Sequence, residues 1–261
     1  FDFHKTILYL YINQIGVTMN KNQLTNFINK YTLGGEIQST KWVSKGDSLT
    51  TRFISGDKSV VGRVVLSKFN HLEPCELGVY STGQLSSLLS VLGDDVDISL
   101  LRAGDKFISM ELEDSKRKTK SKYMLSDLSV IPTPPELKNL PDSFELGIKV
   151  DAHFINTFIS GKGALSDAET FTILTDSDKA EIVIGYASIA SNRVTIPVET
   201  TQFKMLEPIS FNANMFASIL QSNKDCESAT LEVSSQGLSR IKFSIDNYDS
   251  EYFLVSTQAV N

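Results

Sequence analysis

At 261 residues, 41% hydrophobic and 21% charged, the chain has the composition of a globular protein of one large domain or two of about 100–150 residues. That composition excludes disorder, collagen-like repeats and membrane spans. A formal net charge of −6 and a pI near 5.2 argue against a grip on nucleic acid by bulk charge, although a small basic surface fits inside an acidic shell.

The chain opens at Phe1 and carries a short apolar run, Ile7, Leu8, Tyr9, Leu10, Tyr11 and Ile12. The run is too short to span a bilayer, and no small-residue cleavage site follows it. Two readings are open for residues 1–18, an extension outside the main fold or an ordinary N-terminal strand. Met19 opens the first folded stretch.

From there a helix signature recurs four times: a cap-type residue, then apolar residues four, seven and eight positions later. Asn20 precedes Leu24, Phe27 and Ile28; Ser81 precedes Leu85, Leu88 and Leu89. Asp151 precedes Ile155, Phe158 and Ile159; Asn212 precedes Phe216, Ile219 and Leu220. This spacing puts each apolar triplet on one helical face. Asn, Ser and Asp accept a hydrogen bond from the first free N–H groups, so each is a favourable N-cap. Ser81 with Gln84 also fits a capping box. Gly34, Gly93 and either Gly161 or Gly163 are the expected stops, because glycine tolerates the left-handed C-cap.

Successive caps lie 61, 70 and 61 residues apart. Equal outer intervals around a longer middle one predict two similar domains, each built of two similar halves. The surplus falls at residues 129–141, where Pro132, Pro134, Pro135 and Pro141 cannot continue a central strand or helix. The expected boundaries are 19–130 for the first domain, 131–142 for the linker and 143–261 for the second.

Strand-like runs follow each helix. Val96, Ile98 and Leu100 alternate with polar residues, as do Ile108, Met110 and Leu112. In the last quarter Leu231 and Val233 flank Glu232, and Ile241, Phe243 and Ile245 alternate with Lys242 and Ser244. Residues 60–66 and 181–184 are the corresponding runs in the other two quarters. Period-2 alternation means strands with one buried face. The expected class is α+β: two similar domains, each with two short helices packed on antiparallel sheets.

Enzymatic motifs are missing. No P-loop, dinucleotide-binding, nucleophile-elbow, HExxH or EF-hand pattern occurs. His4, His71 and His153 have no metal-ligand spacing, and the aspartates at 94, 95 and 97, like Asp176 and Asp178, read as turns. Cys75 and Cys226 form neither a zinc motif nor a disulfide framework, so no cofactor is expected and a reducing compartment is.

One stretch, Glu76, Leu77, Gly78, Val79, Tyr80 and Ser81 leading through Gln84 to the turn at Asp94 and Asp95, resembles the DNA sliding clamps. So do residues 146–185, with Ile148, Lys149, Val150 and Asp151 before a helix, the proline-bearing linker at 130–135 and the terminal strand at 251–256. The likeness covers roughly residues 20–257 and is strongest to clamps of T-even-type tailed bacteriophages. It implies the DNA-clamp fold and a homotrimeric ring, twelve helices lining the hole. Such a ring would encircle double-stranded DNA, tether a DNA polymerase for processive replication and be placed by a clamp-loader ATPase, in the cytoplasm of an infected host cell. It implies no enzymatic activity. A second reading, a virion structural protein with duplicated β-rich domains, stays open.

On the clamp reading, cations on or beside the helices, Lys21, Lys30, Lys162 and Lys224, are candidate DNA contacts or ordinary surface lysines. The helix from Ser81 carries no basic residue. The densest basic run, Lys116, Arg117 and Lys118 with Lys120 and Lys122, reads as a hairpin tip that is either solvated or touches DNA. Clamps also capture apolar partner peptides near the linker and the last strand, which nominates Val130, Ile131, Phe253 and Val255. Domain core is the competing role for all four.

Overall fold

A computed structural model of the chain describes residues 9–12, 18–136, 140–187 and 192–257. Of the expected N-terminal extension, residues 1–8 and 13–17 lie outside the described residues, as do 137–139 of the expected linker. The chain divides into two compact units, Phe1–Phe53 with Val65–Thr133, and Ile54–Val64 with Pro134–Asn261.

The first unit holds β1 (Tyr9–Ile12), β2 (Met19–Asn20), α1 (Lys21–Thr32), β3 (Thr40–Lys45), β4 (Ser48–Ile54) and the end of β5 (Val60–Ser67). It continues with β6 (Cys75–Val79), α2 (Thr82–Ser90), β7 (Asp95–Ala103), β8 (Lys106–Asp114) and β9 (Lys120–Met124). One antiparallel sheet runs β1-β7-β8-β9, and β2 pairs with β7 further along the same strand. In the other, β3 lies between β4 and β6, with Trp42 opposite Thr51 on one side and Leu77 on the other.

The second unit holds β10 (Leu146–Asp151), α3 (Ala152–Ala164), β11 (Thr170–Asp176), β12 (Lys179–Ile184), β13 (Val194–Val198) and β14 (Thr200–Gln202). After these come β15 (Ile209–Asn212), α4 (Ala213–Ser222), β16 (Ser228–Ser234), β17 (Leu238–Ile245) and β18 (Tyr248–Val255). Its sheets run β13-β12-β11-β15 and β14-β10-β16-β17-β18. The segment Ile54–Val64 is tied into this unit: Val255 N–H donates to the Ser59 carbonyl at 2.9 Å, and Asn212 Nδ2 donates to Asp57 Oδ2 at 3.1 Å.

Each unit is two repeats of strand, helix and strands, and the repeats exchange their leading strands. β2 pairs with β7 of the second repeat while β6 pairs with β3 of the first. In the second unit β15 pairs with β11 and β10 with β16. The exchange buries the helix faces between shared sheets. Leu24, Phe27, Ile28, Leu85 and Leu89 are buried in the first unit, and Ile155, Phe158, Phe216, Ile219 and Leu220 in the second. Each such side chain stabilises by about 1.5–3 kcal/mol. Leu88 and Ile159, also on the predicted faces, are half-buried. Edge-on aromatic contacts complete each core, Phe27 to Trp42 at 5.5 Å and Phe158 to Phe216 at 4.9 Å.

All four predicted caps stand at helix N-termini, and three work as expected. Asn20 accepts from Asn22 N–H, Asp151 from Phe154 N–H and Asn212 from Met215 N–H. Ser81 does not: its side chain caps nothing, and the capping box with Gln84 is absent. Gln38 does the work instead, its Oε1 accepting from Gly83 N–H at 3.2 Å and its carbonyl from Thr82 N–H at 3.0 Å. The expected stop at Gly161 or Gly163 also fails, because α3 runs through both to Ala164. At the end of α1 the left-handed turn is shared by Leu33 (φ 48°) and Gly34 (φ 74°).

Candidate nucleic-acid interface

A helix half-sunk in a core ordinarily shows water a face of Glu, Lys and Arg. These four do not. Along α1 the exposed positions are Asn22, Asn26 and Asn29, spaced to share one face. On α2 they are Gly83, Gln84, Ser87 and Ser90. Those of α3 are Ala152, His153, Asn156, Ser160, Gly163 and Ala164, and those of α4 are Asn214 and Gln221. None is Asp, Glu, Lys or Arg. None of these four helices contains an acidic residue, in a chain with 31. Three exposed asparagines cost α1 about 2 kcal/mol of helix propensity against alanine, so helix stability does not explain them.

The helical lysines are engaged elsewhere. Lys21 Nζ donates to the Leu92 carbonyl at 2.6 Å, beyond the end of α2. Lys30, in the last turn of α1, is only 6% exposed. Lys162, 8% exposed, donates to the carbonyls of Ser166 at 2.7 Å and Leu165 at 3.4 Å, satisfying acceptors just past α3. Lys224, two residues past α4, is exposed and next to Asp225.

The basic run lies at the turn between β8 and β9, with Lys118 in the left-handed conformation (φ 58°). Asp114 shapes the turn. Its Oδ1 accepts from the N–H groups of Arg117 at 2.7 Å and Lys116 at 2.8 Å, its Oδ2 from Gly93 N–H at 2.8 Å. These bonds, that of Arg117 first, hold its carboxyl below the usual carboxylate range. Most of the cationic charge is offset nearby: Lys116 pairs with Asp95 at 2.8 Å, Lys120 with Glu113 at 2.9 Å and Lys122 with Glu111 at 3.5 Å. Lys118 reaches Glu113 at 3.7 Å, and Arg117 stands exposed at the tip.

The candidate peptide-binding residues fall in both units. In the first, Val130 ends a 3₁₀ turn, Leu128–Val130, and is 57% exposed, while Ile131 is buried. Asp127 starts that turn, accepting from Ser129 N–H at 3.0 Å and pairing with Lys106 at 2.5 Å. The segment crosses β6 at Gly78, where Ser126 N–H donates to the Gly78 carbonyl at 2.9 Å. A Cβ at Gly78 would collide with the Ser126 carbonyl, which explains the glycine. Beside it lies a groove of about 500 Å³ lined by Phe107, Ile108, Leu125 and Leu128, unheralded by the sequence. In the second unit Phe253 is buried and Val255 is 43% exposed. Phe253 lies opposite Arg240, whose guanidinium sits 4.6 Å over Phe144 and pairs with Glu232 at 2.6 Å.

Among the described residues no group of His, Cys, Asp and Glu is arranged to hold a metal ion, and no helix is long and apolar enough to cross a membrane.

No protein-family model and no curated protein matches the sequence. The fold does match solved structures. The crystal structure of proliferating cellular nuclear antigen from Entamoeba histolytica aligns with a TM-score of 0.70 at 14% identity, over 96% of this chain and 99% of that one. The chain has the sliding-clamp fold, short helices on antiparallel sheets in repeated domains.

Proposed function

We propose that the chain is a sliding clamp, a subunit of a closed homotrimeric ring that encircles duplex DNA and tethers a replicative DNA polymerase. It acts by topology and performs no catalysis. A clamp-loader ATPase would place it, and its setting would be the cytoplasm of a host cell infected by a tailed bacteriophage of the T-even type. The observation that carries the reading is the acid-free exposed side of all four helices, in a clamp fold whose chain is otherwise acidic. A surface that meets a polyanion must exclude carboxylates before anything else.

Ring closure is supported by two open edges. β9 pairs only with β8, and β13 only with β12, among the described residues. Unpaired edges invite another chain, and two different edges on one molecule suit a head-to-tail ring. Lys224, Lys116, Arg117 and Lys118 are proposed as direct phosphate contacts at the margins. Lys21, Lys30 and Lys162 contribute positive potential from behind the exposed stripes. Partner peptides would use the apolar surface at Val130 and Ile131 in the first unit and at Phe253 and Val255 in the second.

The test combines mass in solution with retention on DNA. A clamp has the mass of three chains, stays on circular DNA once loaded and slides off after the circle is cut. Open-ended polymers, or equal loss from circular and linear DNA, sink the proposal.

A further inference from the structure

We infer that the duplex-facing surface works through uncharged side-chain amides and hydroxyls, with lysine ammonium groups kept off the contact. The inference rests on the sliding-clamp reading and says how that surface meets its ligand. Every exposed helical position is Asn, Gln, Ser, Gly, Ala or His. The amides recur on all four helices, at Asn22, Asn26 and Asn29 of α1, Gln84 of α2, Asn156 of α3, and Asn214 and Gln221 of α4. Each amide NH₂ can donate to a phosphate oxygen and each carbonyl can accept, with no fixed partner required.

The helices do contain cations, but these are held away from the stripes. Lys21 Nζ is bonded to the Leu92 carbonyl at 2.6 Å, and Lys162 Nζ to the Ser166 carbonyl at 2.7 Å. Lys30 is buried. With neither carboxylates nor free ammonium groups on the stripes, the surface neither repels the polyanion nor binds it tightly at fixed points. A bare polar face without large apolar anchors is also a poor protein-docking surface. Polyanionic backbone is the ligand such a face fits, and short-lived contacts suit a ring that must move along it.

The consequence is a weak dependence on salt. Each phosphate neutralised by a cation adds roughly 0.9 to the slope of log affinity against log salt. The full-length protein is titrated with a duplex of about 30 base pairs, from about 50 to about 300 mM NaCl, a range over which cation-driven binding collapses. Counted per chain in contact with the duplex, the expected slope for the unmodified protein is shallower than about −4, because the four marginal cations at about 0.9 each are its ceiling. Asn26→Lys with Asn156→Lys should steepen it by roughly two units and tighten binding at low salt. Both sites are exposed and lysine is the better helix former, so the variant should fold. Conversely, Asn22→Ala, Asn26→Ala and Asn29→Ala together should weaken binding several-fold without lowering the melting temperature.

A slope steeper than about −4 in the unmodified protein, or no response to the paired lysine substitutions, overturns the inference and leaves the clamp reading standing. If duplex binding is missing in all variants and circular DNA is lost as fast as linear, the clamp reading itself falls.

Discussion

Lys162 and Asp57 show how individual charged residues here serve the fold. The Lys162 ammonium satisfies two carbonyls just beyond α3. Lys162→Met keeps the apolar stem and strands those acceptors, so it should lower stability by about 1–3 kcal/mol, read from the denaturant midpoint. A Met variant as stable as the parent would refute that role. Asp57 belongs to the short segment built into the second unit. Burial alone would raise its pKa, but hydrogen bonds from Ser55, Ser59 and Asn212 outweigh it and leave the carboxyl below its usual value. A depressed folded pKa contributes stability above the unfolded value, about 3.9, and that contribution is lost as pH falls through the folded pKa. The melting temperature should therefore drop in acid below about pH 4, and less steeply in Asp57→Asn. Parallel acid profiles for parent and variant would show that Asp57 is not the group responsible.

Among elements, the helices separate what local sequence can announce from what it cannot. The caps Asn20, Asp151 and Asn212 were legible because cap and recipient lie within three residues. Ser81 carried the same signature, yet α2 is capped by Gln38, from a different strand connection. Gln38→Ala should accordingly cost about 1 kcal/mol, and Ser81→Ala much less, in matched urea melts. The reverse order would restore Ser81 as the cap. Alternation likewise revealed β7, β8, β16 and β17, while the exchange of leading strands stayed hidden, because strand pairing is set by partners far along the chain. The candidate interface followed the same rule. Lysine positions could be read, but their burial could not, and the informative signal was an absence of carboxylates spread over four helices.

At the scale of the whole molecule, the hydrogen-bond phase of β9 and β13, two of the edge strands, gives ring closure a sharp test. Leu125 N–H donates to the Ile108 carbonyl at 2.9 Å and Asp114 N–H to the Thr119 carbonyl at 2.8 Å. Alternation along an antiparallel pair then turns the backbone groups of Ser121 and Tyr123 toward β8, and those of Lys120, Lys122 and Met124 toward the open edge. On β13, Pro197 has no N–H to give β12, so its nitrogen sits without loss only on the outward phase. Thr195, two residues earlier, shares that phase. Lys122→Pro and Thr195→Pro thus each remove an outward donor while sparing the ladder within the chain. If β9 of one copy pairs with β13 of the next, either variant alone should fold but lose the trimeric mass. Mixing the two leaves one intact pairing, the unmodified β9 of the Thr195→Pro chain on the unmodified β13 of the Lys122→Pro chain, and should yield a one-to-one heterodimer. An isologous contact, β9 on β9, would instead leave Thr195→Pro fully assembled. Sedimentation of the two variants, separately and mixed, distinguishes these arrangements.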